Sequence, residues 1–200
     1  MTKKSSAHPF TDWAKSRLDE MDATLAVFEA RAADVQADTR EKADAAIADM
    51  KKHRDVFKAE VEANRAHGAT ELAAANARLQ AEGQSFEGAV DTYWNTVTAQ
   101  TKDHAAVFKA RVEAQQKAWQ EAATRMKANA AEFGASRKVE FDSSVSKADH
   151  MAREAGEKLN AVNAAGKASW SALRSALAES RTALDAAYSK AVEAFKHAQK

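Results

Sequence analysis

The sequence predicts an all-α protein of long antiparallel amphipathic helices, arranged as an elongated three-helix bundle or coiled coil. Its 200 residues include one proline and six glycines, and alanine occupies about a quarter of the positions. Alanine, Glu, Lys, Arg and Gln are the residues that favour a helix interior most strongly. The only proline is Pro9, so no residue after it forbids a helix.

Apolar residues recur with the period of an α-helix. Between Ala14 and Val61, thirteen steps cover 47 residues, a mean of about 3.6. The positions between them carry acidic and basic residues in alternation, which is typical of a solvated helix face. The apolar positions are Ala14, Leu18, Met21, Leu25, Phe28, Ala32, Val35, Thr39, Ala43, Ala46, Met50, His53, Phe57 and Val61.

The same period returns in the rest of the chain. No stretch shows the alternation or the β-branched runs of a strand, so helix is predicted there too. One later stripe comprises Phe108, Val112, Trp119, Met126 and Phe133, and another comprises Leu159, Val162, Trp170, Leu173, Leu177, Leu184, Tyr188, Val192 and Phe195.

Two glycines predict where the chain turns. Gly68 and Gly134 are each followed two residues later by a Thr or Ser that can cap the next helix. We therefore expect helices at about 10–67, 69–133 and 136–198, forming a single bundle over 10–200 after a flexible tail at 1–9. At 1.5 Å per residue such a rod would be roughly 85–100 Å long.

Other glycines leave alternatives open. The densest cluster, Gly83 to Gly88, offers a rival turn. Gly156 and Gly166 mark either bends or close contacts between helices.

A partial internal repeat lies within this pattern. The eleven residues from His53 to Ala63 match those from His104 to Ala114 at eight positions. Either a duplicated unit or the limited choice of residues on an alanine-rich helix explains this similarity.

Composition excludes several classes of protein. The formal net charge is +1, without the basic stripe of a nucleic-acid binder, so no nucleic-acid partner is expected. Cysteine is absent, which excludes disulfides and thiolate metal sites. No apolar segment resembles a signal peptide or approaches the roughly 20 residues that span a bilayer. We expect a cytoplasmic protein.

No pattern indicates catalysis. None of the six histidines belongs to a Glu-x-x-His or His-Glu-x-x-His motif, and no Gly-x-Ser-x-Gly or glycine-rich phosphate loop occurs. Most carboxylates lie beside Lys or Arg, which keeps them ionised. We expect a non-enzymatic protein with no cofactor, metal or evident small-molecule substrate. A weaker alternative is a bundle that binds haem through His53 or His104.

The C-terminal segment is the candidate surface-binding face. From Lys167 to Lys200 it contains six basic and three acidic residues, a balance that favours an anionic surface. The alternative is that this helix docks on its own bundle, which we favour. The residues of the candidate face are Trp170, Leu173, Leu177, Leu184, Tyr188, Val192 and Phe195.

The stretch from Trp170 to Glu179 and the two Val-Phe-Lys-Ala repeats resemble two families. One comprises apolipoprotein-like amphipathic coiled-coil proteins with eleven-residue periodicity, although the prolines that punctuate classical apolipoproteins are missing here. The other comprises the bacterial phasins, alanine-rich helical proteins that coat polyester granules. The resemblance covers about residues 11–198 and implies surface coating or helix-mediated assembly.

The sequence thus predicts a structural or interaction protein that acts by helix-mediated assembly. Its expected partners are a second copy of itself or another helical protein. The alternative is an amphipathic protein that binds a lipid or polyester-granule surface.

Overall fold

The structure is a computed structural model that describes residues 7–64, 69–97, 101–129, 135–164 and 170–198. These ranges contain helix throughout, apart from short turns, and no strand, which confirms the all-α class. The helices are α1 (Ala7–Arg31), α2 (Ala37–Asn64), α3 (Ala69–Thr96), α4 (Thr101–Asn129), α5 (Ala135–Ala164) and α6 (Trp170–Ala198), with one 3-10 turn at Ala32–Asp34.

Two of the helix ends lie close to the glycines at which turns were predicted. Helix α2 ends at Asn64 and α3 begins at Ala69, whereas α4 ends at Asn129 and α5 begins at Ala135. Gly68 and Gly134 themselves, like Gly166, lie outside the described residues. The rival turn at 83–88 is wrong, because α3 continues through both of its glycines.

The expected division into three helices is corrected to six helices of 25–30 residues within the described ranges. The turn between α1 and α2 contains no glycine or proline, so the sequence did not predict it. Instead, the Arg40 guanidinium donates hydrogen bonds to the backbone oxygens of Ala33, at 2.9 Å, and Val35, at 3.0 Å. These bonds satisfy carbonyl groups that a continuous helix would otherwise have paired.

The turn between α3 and α4 was also missed. Its sequence from Thr96 to Thr101 is rich in Thr and Val, whose β-branched side chains lose rotamer freedom in a helix.

The flexible tail expected over residues 1–9 is too long, because α1 already begins at Ala7. Pro9 fits within the first turn, where backbone N–H groups have no helical partner. Residues 1–6 lie outside the described residues.

The chain divides into two compact units, which corrects the single bundle expected over 10–200. Unit A is Arg17–Ala114, and unit B combines Met1–Ser16 with Gln115–Lys200. The division falls within α1 and α4, so each unit takes one part of both helices.

Unit A is an up-and-down arrangement of four helical segments. Successive helices run antiparallel, since the residue number falls on one helix as it rises on the neighbour it contacts. The contacts that show this are Asp22–Arg54 and Glu29–Lys51, Glu60–Arg78 and His53–Glu82, Glu87–Arg111 and Trp94–His104.

The interior of unit A takes one apolar stripe from each segment. The repeated Phe57 and Phe108 are both buried, as are Val61 and Val112, so the two copies face the same interior. Other buried apolar residues are Met21, Leu25, Phe28, Val35, Ala43, Ala46, Ile47, Met50, Ala75, Leu79, Phe86, Ala89, Val90, Tyr93, Trp94 and Val107.

Unit B is built from the first part of α1, the second part of α4, and α5 packed along α6. Large rings at Trp119, Phe141 and Tyr188 fill spaces between helices whose contacts otherwise come largely from alanine. Such rings bury far more apolar area than alanine and thereby fix the register. The other members of this cluster are Ala122, Ala123, Met126, Val145, Ala148, Leu184 and Ala187.

The outer faces are polar. Among the described residues, the large hydrophobic side chains classed as exposed are Val56, at 43 %, and Val139, at 69 %. Over the same ranges, no helix combines the length and the apolar character needed to cross a membrane.

Candidate functional site

The candidate surface-binding face on α6 lies mainly inside unit B. Leu173, Leu177, Leu184 and Tyr188 are each at most 4 % exposed, and Trp170 is half-buried. The side chains of Val192 and Phe195 lie outside the described residues. In this folded form the face is part of the interior rather than a free surface, as expected for a helix that docks on its own bundle.

Three aromatic residues of unit A, Phe28, Tyr93 and Trp94, form a buried cluster with His104 where α1, α3 and α4 meet. The rings of Phe28 and Tyr93 stack with centroids 4.1 Å apart, and Trp94 meets both rings edge-on. The imidazole of His104 lies edge-on to Trp94 at 4.3 Å. Edge-to-face rings contribute stabilisation beyond the area they bury, so this cluster is a packing element.

The two repeated histidines have different surroundings. His53 Nδ1 is 2.8 Å from Glu82 Oε2, and its Nε2 is 3.6 Å from Asp49. Burial lowers the pKa of His104, although the negative charge of Asp103 opposes this shift. Within the described ranges, no group of three or more His, Asp or Glu side chains is placed to hold a metal ion. Haem binding by His53 or His104 stays a prediction.

The lowered pKa of His104 predicts a pH-dependent stability. In the unfolded chain the imidazole has a pKa near 6.5, so it binds a proton below that pH. In the folded chain the same imidazole binds its proton only at a lower pH, so acid favours the unfolded state. The free energy of unfolding should therefore fall as the pH drops from about 7.5 through 6.5 to the folded-state pKa.

Urea unfolding at several pH values measures this effect, with His104→Gln as the variant that cannot titrate. On acidification, the unfolding free energy of the wild type should fall relative to that of His104→Gln. The exposed His150 provides the matched control, His150→Gln. A difference for His104→Gln that stays constant with pH would contradict the prediction.

Unit A also contains a buried ionic cluster. Arg111 is 1 % exposed, and its Nε donates to Glu20 Oε1 at 3.0 Å. The other guanidinium nitrogens bind the Glu87 carboxylate in a two-pronged contact, with Nη1 at 3.2 Å from Oε2. Arg17 approaches Glu20 to 3.4 Å. Because the side chains of Arg111 and Glu20 are both almost fully desolvated, each depends on the other for compensation.

Helix α1 carries buried polar side chains at regular spacing. Asp12, Ser16, Glu20 and Thr24 follow one another every four residues and are all at most 6 % exposed. In unit B, Arg125 Nε donates to Asp12 at 2.8 Å. In unit A, the Thr24 hydroxyl donates to the Glu20 backbone oxygen at 2.8 Å. This polar row lies beside the apolar stripe that the sequence predicted.

A cleft of about 360 Å³ opens between α4, α5 and α6 of unit B. Helix α4 contributes three glutamines from one turn and a half, and α5 contributes residues spaced three or four apart on one face. This cleft is the candidate binding site. Its lining is Gln115, Gln116, Trp119, Gln120, Asp149, Ala152, Arg153, Gly156, Glu157, Leu159, Asn160, Ser180 and Leu184.

The base of the cleft is the carboxamide of Gln115. This side chain is 1 % exposed, and its Oε1 accepts a hydrogen bond from the Ser180 hydroxyl at 2.8 Å. Its Nε2 is buried and meets no hydrogen-bond acceptor within the part of the chain that the structure describes. An amide donor without an acceptor is costly, so this group favours any ligand that brings an oxygen to it.

The wall beside Gln115 depends on a glycine. A Cβ at Gly156 would come within 2.7 Å of the Gln116 carboxamide nitrogen, so Gln116 lies directly on the α5 backbone there. Of the two sequence interpretations of Gly156, the structure shows the close contact between helices.

The rim of the cleft contains a fixed carboxylate. Asp149 accepts hydrogen bonds from Trp119 Nε1, at 3.2 Å, and from Arg153, at 2.6 Å. Burial raises the pKa of Asp149, but these two bonds and the charge of Arg153 together bring it below its ordinary value. The carboxylate is therefore ionised at neutral pH and can accept a further hydrogen bond.

The helical glycines give a prediction on stability. A Cβ at Gly88 in α3 meets nothing within 4 Å, so Gly88→Ala should raise the unfolding free energy by roughly 0.5–1 kcal/mol. Gly156→Ala should gain less, because Gln116 must move to admit the methyl group. Urea unfolding of both variants measures the difference, and an equal gain at the two sites would contradict it.

Sequence reasoning did not single out the cleft. The cluster Gln115-Gln116-x-x-Trp119-Gln120 was the available signal, since three glutamines near one tryptophan are unusual in a helix of alternating charges. Glutamine is, however, a strong helix former, and its presence on a helix does not by itself indicate a site.

Comparisons with protein-family models, with curated proteins and with solved structures give no match for this chain.

Proposed function

We propose that this chain is a non-enzymatic structural or interaction protein that acts through its amphipathic helices. The observation that carries the proposal is the closure of each unit around its own apolar stripes. Among the side chains that the structure describes, the exposed large hydrophobic ones are Val56 and Val139. The closed form therefore offers partners charged helix faces, and the proposal includes a cytoplasmic location.

The charged faces suit association with a second copy of the chain or with another helical protein. The exposed pair Lys109–Glu113, for example, places both signs of charge on one face at helical spacing. Contacts between such faces are weak individually and are screened by salt.

Sedimentation velocity at low and high salt tests helix-mediated assembly. We expect oligomers at low salt that dissociate as the ionic strength rises, because screening weakens contacts between charged faces. A protein that remains monomeric at every salt and protein concentration would contradict the proposal.

A second candidate function is binding to a lipid or polyester-granule surface, as in the phasin-like alternative. The observation that favours it is the amphipathicity of α6, which is the strongest among the described helices. Its apolar positions are covered by the other helices of unit B, so binding through them requires α6 to separate from α5.

A cross-link between α5 and α6 tests this requirement. Lys190 Nζ lies 3.7 Å from Met151 Sδ, and the chain has no cysteine, so Met151→Cys with Lys190→Cys introduces its only thiols. A short bismaleimide should abolish flotation with anionic vesicles or polyester granules, whereas the same protein treated with N-ethylmaleimide should float. Equal flotation of the two forms would exclude opening between α5 and α6.

A further inference from the structure

We propose that the cleft of unit B binds a small, uncharged, planar molecule with a carbonyl oxygen and an N–H group, such as a carboxamide or lactam. The juxtaposition of the unpaired Gln115 donor with an apolar wall and an ionised acceptor carries this proposal. It goes beyond assembly, because it assigns a small-molecule site to a chain whose sequence predicted none.

The Gln115 carboxamide determines which functional group of a ligand the cleft favours. Its Nε2 is a buried donor without an acceptor, whereas its Oε1 is held by the Ser180 hydroxyl at 2.8 Å. That hydrogen bond and the burial of the side chain restrain the rotation of the amide before any ligand binds. A carbonyl oxygen at this position satisfies the donor and removes the cost of leaving it unpaired.

The charges of the rim exclude an anion. Asp149 and Glu157 bring two negative charges, against the single positive charge of Arg153. The Arg153 guanidinium already binds Asp149 at 2.6 Å, so it does not present a free charge to a carboxylate. The same carboxylates accept hydrogen bonds, which suits a ligand that donates an N–H at the end opposite its carbonyl.

The remaining walls favour a flat, partly apolar body. Trp119, Leu159 and Leu184 line the cleft, and the Trp119 indole is fixed by its hydrogen bond to Asp149. A volume of about 360 Å³ lies at the lower end of the range for small-molecule sites. A single ring with one amide group therefore matches the site in size, shape and polarity.

Nuclear magnetic resonance on the full chain tests the proposal, with benzamide as the probe and benzoate as its anionic match. Benzamide should shift the Gln115 side-chain NH₂ signals saturably up to its solubility limit. Benzoate should bind at least about tenfold more weakly, because it brings a charge to an acidic rim. In Gln115→Met, which retains length and loses the donor, benzamide binding should also weaken at least about tenfold.

The matched control is Gln84→Met, the same substitution at an exposed position of α3, which should leave benzamide binding unchanged. Benzamide binding that survives Gln115→Met would overturn the role of Gln115, and benzoate binding as tight as benzamide would overturn the ligand class. Absence of a saturable shift would show a water-filled cleft only and overturn the site. The comparison of the two probes on wild type needs no variant, so it holds even if Gln115→Met does not fold.

Failure of this test leaves the assembly proposal intact. Sedimentation reports association of the whole chain, whereas the benzamide titration reports one side chain in unit B.

Discussion

Replacing Arg111 with methionine is expected to lower the unfolding free energy of unit A by about 3–5 kcal/mol. Methionine matches the length of the aliphatic stem but removes the guanidinium that compensates Glu20, a residue itself 1 % exposed. Glu87 would lose both of its bonds to Arg111. The loss reflects the cost of leaving the Glu20 carboxylate buried without the Arg111 guanidinium, and it exceeds the net contribution of the ion pairs to stability.

Urea unfolding followed by circular dichroism measures this change, with Arg78→Met as the matched control. Arg78 also binds a glutamate, Glu60, but its side chain is 56 % exposed, so its loss should cost at most about 1 kcal/mol. Combining Arg111→Met with Glu20→Leu and Glu87→Met should recover most of the loss, since all three charges of this contact are then removed together. Equal costs for Arg111→Met and Arg78→Met would show that burial does not govern the cluster.

Leu177→Ala is expected to destabilise unit B by about 2–5 kcal/mol. The Leu177 side chain is 1 % exposed, so its truncation removes buried apolar area and leaves a cavity in the close packing of the unit. The expectation bears directly on the candidate face of α6. If Leu177 pointed to a free surface, the same truncation would scarcely affect folding.

The matched control is Val139→Ala on α5, where the side chain is 69 % exposed and truncation should change stability by less than about 0.5 kcal/mol. Thermal and urea unfolding of both variants provide the measurement. A Leu177→Ala protein as stable as wild type would mean that α6 does not dock as the structure shows.

The period of the apolar residues was enough to predict the all-α class and, over part of the chain, which side of a helix is buried. Met21, Leu25 and Phe28 were expected on one stripe and are all buried. The helix ends at Asn64 and Asn129 lie near the predicted turns at Gly68 and Gly134, because the tendency of glycine to end a helix is a local property. The turn before Arg40 was not predicted, since it depends on a side chain reaching back to the carbonyls of Ala33 and Val35.

The periodicity of the sequence did not predict which polar residues are buried. Glu20 was assigned to a solvated face, because charge on a helix is usually exposed, and the burial of Arg111 was not predicted. They are buried because each meets the other from a residue 91 positions away, which no local pattern encodes. The cleft was missed for a similar reason. Gln115 belongs to a candidate site only because Ser180 and one face of α5 lie beside it, and these residues are distant in the sequence.

The tryptophans are divided unequally between the two units. Trp94 is the one in unit A, whereas Trp13, Trp119 and Trp170 belong to unit B. A Trp94→Phe protein would therefore emit from unit B alone, and subtraction of its spectrum from that of the wild type isolates the emission of unit A. The fluorescence of Trp94 also responds to the imidazole of His104, whose ring centroid lies 4.3 Å away. One fluorescence titration can therefore follow both the unfolding of unit A and the protonation of His104.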